Sequence, residues 1–297
     1  MDDATLLTEL RPTANDLLDR HLGMAKEWFP HELVEWRSPP VAGSAEPLPD
    51  GVTSALFVNV LTEDNLPYYF ASIDRLFGRD GAWGYWTRRW TAEEGRHSIV
   101  LRDYLTMSGH LGPASLERAR MAQVTGGVTP QVTSVADAFA YLTLQELATR
   151  IAHHNTGKAL PDGEGYAVMK RVAADENLHY LFYRDLVSAA LDIDPSGMTE
   201  AIKRQVLNFE MPGTGIPGFA EHAKAIARAG IYDMVVHHDA ILRPVVLGHW
   251  DIARRQDLTP SAEAARNRLV QFITRLGRAS DRVKERRAET PVEASLR

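Results

Sequence analysis

Six side chains of this chain could do oxidative chemistry together. Glu63, Glu94 and His97 stand in one half, and Glu146, Glu176 and His179 in the other. Each half carries a lone glutamate followed, after a nearly equal interval, by Glu-x-x-His. Residues at i and i+3 share a helix face. Four helices packed together would therefore aim four carboxylates and two imidazoles at one point, the ligand complement of a two-metal carboxylate centre inside a helical bundle. Hard carboxylates with imidazole suit iron or manganese better than copper or structural zinc. Either Glu-x-x-His alone is weak, because short motifs recur by chance. Chance does not explain the repetition, nor the company the lone acids keep. Glu63 follows Ala55-Leu-Phe-Val-Asn-Val-Leu, and Glu146 sits in Phe139-Ala-Tyr-Leu-Thr-Leu-Gln-Glu-Leu-Ala-Thr. On such stretches a carboxylate is exposed, paired or metal-bound, since an unpaired buried charge is very costly. An acid also precedes each motif glutamate, Glu93 before Glu94 and Asp175 before Glu176. These two are the candidates to accept the free ring N–H of the metal-binding histidines, each serving the histidine of the opposite half.

Helical periodicity supplies the elements that must position these groups. Residues 1–30 read as one amphipathic helix, with Leu6, Leu10, Leu17, Leu18, Leu22 and Trp28 on its apolar face. Residues 37–51, rich in proline, form a loop. A helix over 53–77 carries Glu63, and Pro67 inside it removes the donor for the carbonyl of Glu63, bending the helix beside that residue. Further helices are expected over 82–107, 134–157 and 166–191, the second of these capped by Ser134. The segment 109–133 reads as a connection with room for a short helix. Helical pattern resumes over 219–256 and 260–283, and 284–297 reads as a polar, disordered tail. No strand alternation persists, so the class is all-α: one domain over 1–283 with a bundle core at about 53–192.

Composition narrows the chemistry. With no cysteine among 297 residues, disulfides, thiolate zinc sites, cysteine-ligated clusters and a cysteine nucleophile are excluded, and a reducing, cytoplasmic setting is expected. No apolar run reaches membrane-spanning length. The histidine pairs His153-His154 and His237-His238 therefore lack the flanking spans of a membrane oxidase and read as structural. A net charge of −6 argues against nucleic-acid binding. Arg88-Arg89, Arg254-Arg255 and the run from Arg275 to Arg287 could each meet an acidic partner, although a solvated helix face is the commoner reason for such charges.

Four longer blocks resemble the acyl-acyl-carrier-protein desaturases of plant plastids and actinobacteria, the actinobacterial branch most. They are Leu61-Thr-Glu-Asp-Asn-Leu-Pro, Trp90-Thr-Ala-Glu-Glu-Gly-Arg-His97, Gln145-Glu-Leu-Ala-Thr-Arg-Ile-Ala-His-His-Asn-Thr-Gly-Lys158 and Ala173-Ala-Asp-Glu-Asn-Leu-His179. The resemblance implies a ferritin-like four-helix bundle with flanking helices and a di-iron centre in its core. It implies that Glu63, Glu94, His97, Glu146, Glu176 and His179 hold two irons, for which manganese could substitute. Thr149 then supplies a hydroxyl on the oxygen-binding side, and Trp28, Asp175 and His97 form a route for electrons from the surface. The implied partners are an acyl carrier protein bearing the substrate, a ferredoxin-type donor, O2 and a second copy of the chain. Asn177 and Leu178 depart from the plant pattern, in which these positions are basic, and Tyr68 and Phe70 are bulkier or more apolar than the family suggests.

Breaking unpolarised C–H bonds is beyond any side chain, so a metal–oxygen oxidant in a dry site is required. A narrow apolar channel is expected beside the cluster, lined by Phe57, Leu66, Phe70, Trp90, Phe139, Leu142 and Phe182, all of which at helical spacing serve equally as core. The leading reading is introduction of a cis double bond into a carrier-bound fatty acyl chain. Another di-iron oxidase on the same scaffold, a hydroxylase or N-oxygenase, stands beside it, as does a non-catalytic iron-binding member.

Overall fold

The computed structural model describes residues 1–37 and 46–289, and every regular element among them is helical. The expected loop over 37–51 falls partly outside the described residues. The amino-terminal segment is not one helix. It divides into α1 (Asp3–Glu9), α2 (Arg11–Met24) and the single turn α3 (Pro30–Leu33). Pro12 and Pro30 each begin a new helix, where a missing N–H costs nothing. Trp28 consequently lies in the extended link between α2 and α3, free to turn its ring inward, where it is buried.

The next helix is likewise divided rather than bent. Here α4 (Asp50–Glu63) stops at Glu63, and α5 (Leu66–Phe77) restarts with Pro67 in its first turn. Pro67 cannot donate to the carbonyl of Glu63, so that residue becomes a helix end. Asp64 and Asn65 turn the corner and are held there, Asp64 by the hydroxyl of Ser98 at 2.6 Å and Asn65 through its amide to Val128 O at 3.0 Å. Next come α6 (Gly81–Ser108) and α7 (Pro113–Gly126), the latter filling the expected connection. Tyr68 fastens α5 to α7 through a 2.6 Å hydrogen bond to Val124 O. Gly127 ends α7 at φ +61 with the Tyr68 ring against its Cα, so a side chain there would be both strained and blocked.

The long antiparallel partners α8 (Val135–Ala159) and α9 (Gly163–Ile193) complete the bundle with α4 and α6. Ser134 caps α8, accepting from Asp137 N at 3.1 Å. Because α4 is apolar on nearly all sides, it must be covered on all sides. The bundle covers one face, and α11 (below) lies so close on the other that a side chain at Gly51 would meet Ala229 and the carbonyl of Ala225.

After α9 come α10 (Pro195–Leu207), α11 (Phe219–Arg228), α12 (Met234–His237) and a π-helical stretch, His238–His249. The expected helix over 219–256 is thus broken, first at Ala229-Gly230 and then by the widened turns around Pro244, which offers no N–H to an α ladder. The last helix, α13 (Pro260–Glu289), packs on α10 and continues past residue 284, into the stretch expected to be a tail; residues 290–297 lie outside those described.

The cap yields a check on this framework. Ser134→Ala should cost about 1 kcal/mol. A fall in melting temperature of about 2–4 °C is expected for a chain of this size, and an unchanged melting curve would remove Ser134 as the start signal of α8.

A buried carboxylate–imidazole centre

Four helices each present their chemistry to one point. Glu63 comes from the last turn of α4, Glu94 and His97 from mid-α6, Glu146 from α8, and Glu176 and His179 from α9; all six are buried. Their ligating atoms fall into two sets of four, each drawn within 4.8 Å. One is Glu63, Glu94, His97 and Glu176, and the other is Glu94, Glu146, Glu176 and His179. Glu94 and Glu176 belong to both sets. His97 Nδ1 lies 3.3 Å from Glu94 and 3.4 Å from Glu176, and His179 Nδ1 lies 2.9 Å from Glu94 and 3.6 Å from Glu146. Yet His97 Nδ1, His179 Nδ1, Glu94 Oε1 and Glu146 Oε2 are buried without a well-formed hydrogen bond. Buried polar atoms normally find partners. Orphans converging from three helices are what a site able to hold metal leaves to be filled, and Glu94 and Glu176 are common to both sets.

A second layer aims these ligands. Glu93 Oε2 accepts from His179 Nε2 and from His21 Nε2, both at 2.9 Å, while Arg89 Nε binds its other oxygen at 2.7 Å. Asp175 Oδ2 accepts from Trp28 Nε1 at 2.7 Å and lies 3.5 Å from His97 Nε2, with Arg96 and Arg171 also upon it. Each acid thus faces the histidine of the opposite half, and each reaches outward to an aromatic N–H from the amino-terminal segment. Although His21, Glu93 and His179 also sit close enough together to hold an ion, Glu93 already accepts from His21, His179 and Arg89, so this group reads as support rather than as a metal site of its own.

Each unpaired lone glutamate also has its own donor. Glu146 Oε1 accepts from Trp90 Nε1 at 3.0 Å, and Glu63 Oε1 from His153 Nε2 at 3.0 Å. His153 reads as structural in the sequence, and His21 is not singled out there. The signal for His153 was present: with Thr149 it repeats from Glu146 at helical spacing, on the face that carries the ligand. His21 had no such signal, because its partner lies across the fold. Thr149 Oγ1 stands 3.1 Å from the carbonyl oxygens of Gln145 and Glu146 and 2.9 Å from Glu176 Oε2, so the ordinary helix back-bond and a contact to a candidate ligand compete for one proton.

The apolar space beside the centre has two limbs. One is bounded by Ala55, Val58, Phe219, Ile226 and Tyr232, and the other by Tyr69, Ile73, Trp90, Val132 and Leu142; both reach Thr62, Glu63, Thr149 and Pro212. Of the seven residues expected along a channel, only Trp90 and Leu142 line it. Phe182 is stacked on Trp86 at 3.6 Å, Phe139 is packed among Phe77 and Trp83, and Phe57 lies against His222. Leu66 and Phe70 line neither limb. Spacing cannot separate a wall from a core residue when both faces of a helix are buried.

Electrostatics show what the ligands do without metal. Burial pushes the carboxyls of Glu146 and Glu94 above the ordinary range, and the nearby Glu176 pushes them further. Burial works against a proton on His97 and His179, but the carboxylates around them win and hold both well above the usual imidazole value. Glu63 is held low despite burial by His153 and His97, and Glu176 by His97 and Glu146. The cluster neutralises itself with protons that a metal must displace.

The chain matches the model of the fatty acid desaturase family over residues 2–296. It is 39% identical over 299 residues, 95% of this chain and 88% of the other, to DesA1 of Mycobacterium tuberculosis, whose name assigns it provisionally to the acyl-acyl-carrier-protein desaturases. It is 31% identical over 258 residues, 80% of this chain and 65% of the other, to the chloroplastic stearoyl-acyl-carrier-protein 9-desaturase 6 of Arabidopsis thaliana. The fold matches the X-ray structure of M. tuberculosis DesA2, likewise provisionally named, with a TM-score of 0.70 at 23% identity over 88% of this chain and 99% of that one. This chain belongs to the fatty acid desaturase family that the acyl-acyl-carrier-protein desaturases represent, and its fold is the all-α, ferritin-like one. None of its helices among the described residues is long and apolar enough to cross a membrane.

Two outcomes are expected. Metal requires deprotonated ligands, so loading the protein with Fe(II) near neutral pH should release protons, and affinity should rise with pH. In the metal-free protein, the raised histidines stabilise the fold below the ordinary imidazole range. That contribution disappears as pH climbs through their raised values. Metal titration in weak buffer with a pH indicator checks the first point, and proton-neutral binding would contradict it. Separately, His153→Phe should lower the iron content from two per chain toward one, whereas His153→Gln, which can still donate, should keep two. Two irons in the Phe variant would mean that Glu63 needs no donor.

Proposed function

We propose that this chain uses a pair of irons, O2 and two electrons from an external ferredoxin-type donor to introduce a cis double bond into a fatty acyl chain carried on acyl carrier protein. The observation that carries this reading is two four-residue groups sharing Glu94 and Glu176 beside two apolar limbs that have Thr62, Glu63, Thr149 and Pro212 in common. A linear acyl chain laid through both limbs would present its middle, not its end, to Glu63 and Thr149. Such a pair of irons, when bound, supplies the oxidising power that C–H cleavage needs.

This chain's own residues do the rest. Four carboxylates balance two divalent ions, so the loaded site stays close to neutral inside the protein. Glu93, hydrogen-bonded to His179 Nε2, fixes that ring with Nδ1 toward the site, and Asp175, 3.5 Å from His97 Nε2, faces the outer nitrogen of the other ring. Thr149 is the hydroxyl on the cavity side, close enough to Glu176 to hand over or hold a proton. The apolar walls keep water from an oxidant that water would waste. Trp28, with Arg96 at 4.8 Å and Arg171 at 5.8 Å from its ring, hydrogen-bonds Asp175 and stacks on His97, and it offers an outward path for an electron.

Turnover with Fe(II), reduced ferredoxin, O2 and a panel of loaded carrier proteins, followed by mass spectrometry of the acyl groups, should give products lighter by two hydrogens with no oxygen inserted. Hydroxylated products would establish the other oxidase reading, and a protein that binds two irons but yields no product would establish the non-catalytic one. Thr149→Val should keep both irons while O2 consumption outruns product formation; unchanged coupling would remove the role assigned to its hydroxyl.

A further inference from the structure

The cationic run near the carboxyl terminus divides into two sets once folded. Lys284 pairs with Asp239 at 2.7 Å and Asp281 at 3.2 Å, and Arg287 pairs with Asp233, so these two fasten α13 to the α12 region. Arg275, Arg278 and Arg282, with Arg268 one heptad before Arg275, are exposed and have no ion pair or hydrogen bond among the described residues. Like charges at helical spacing repel. Four of them left without counter-ions, on a chain whose net charge is −6, make a local field opposite to that of the whole.

The row borders a groove. Arg268 and Arg275 flank Phe272 at i−4 and i+3, and neighbours at that spacing share a helix surface. Phe272 and Leu276 form one bank of a cavity of about 280 Å³, and Phe209, Tyr232, Met234 and His237 form much of the rest. This groove shares Met211 and Tyr232 with the inner limb that reaches Glu63, Thr149 and His153. Met211 and Tyr232 are therefore the side chains that lie between the groove beside the arginines and the inner limb at the buried centre.

We propose that the arginine row of α13 and this groove are the docking face for the acidic carrier protein, with the row meeting its carboxylates and the groove receiving the arm that bears the acyl thioester. The proposal rests on the carrier-bound substrate of the preceding section. Charge complementarity selects an acidic partner, and the apolar groove, with only Met211 and Tyr232 between it and the inner limb, selects one that delivers a thin, largely apolar chain. A nucleic acid or a membrane surface would use the charge but leave the groove without purpose.

The test compares the wild type, Arg275→Glu/Arg282→Glu, the neutral Arg275→Gln/Arg282→Gln, and Arg118→Glu on the exposed face of α7 as a control. All are exposed substitutions, so iron content and melting temperature should match the wild type. Binding of stearoyl-loaded acyl carrier protein, read by fluorescence anisotropy, should weaken by about tenfold or more in the reversed pair, less in the neutral pair and not in the control. The salt dependence of the wild type should be flattened in both pairs. Wild-type affinity in the reversed pair would overturn the surface while leaving the carrier reading intact. A wild type that binds no loaded carrier would overturn both. Tighter binding to phosphatidylglycerol vesicles or to DNA than to the carrier would assign the row to another partner.

Discussion

The constraint on which everything else depends is the burial of four carboxylates and two imidazoles at a single point. Removing such groups from water is expensive, and gathering carboxylates together adds repulsion. Long helices pay this only because four of the six groups have a dedicated neighbour: Trp90 for Glu146, His153 for Glu63, Glu93 for His179 and Asp175 for His97. Without metal, protons neutralise the set. With metal, cations do so, and the same donors then hold the ligands in place instead of merely satisfying them.

The amino-terminal segment belongs to this support. His21 on α2 and Trp28 in the link after it close the outer side of Glu93 and Asp175. The two halves of the bundle share a plan, with an acid one residue before each motif glutamate, but they are finished differently. One acid is backed by an imidazole and Arg89, the other by an indole and a pair of arginines. Equally local is the break after Glu63. Because Pro67 forces a new helix, Glu63 stands at a helix end beside the cavity, held by a neighbouring helix rather than by its own, while Glu146 lies in the middle of α8.

Much of this was legible in the residues. Glu-x-x-His at matched spacing picks out four of the six side chains that converge, and the apolar context of Glu63 and Glu146 picks out the other two, because a 3.6-residue period carries face information without reference to tertiary structure. Ser134 announced the start of α8, and the limits of α6 and α9 followed from periodicity. What failed did so for physical reasons. Periodicity continued through Pro12, Pro67 and Gly230, so three interrupted segments read as continuous helices. Helices buried on every side offer no contrast between wall and core, so Phe139 and Phe182 were placed along a cavity that they do not line. His21 serves a residue on α6 far along the chain, a relation that no local pattern encodes.

Metal placement tests the central claim most directly. Anomalous diffraction at the iron edge from crystals grown with Fe(II) should show two peaks between α6 and α9, with Glu94 and Glu176 contacting both, His97 and Glu63 on one, and His179 and Glu146 on the other. A single peak, or density held between His21, Glu93 and His179 instead, would contradict it.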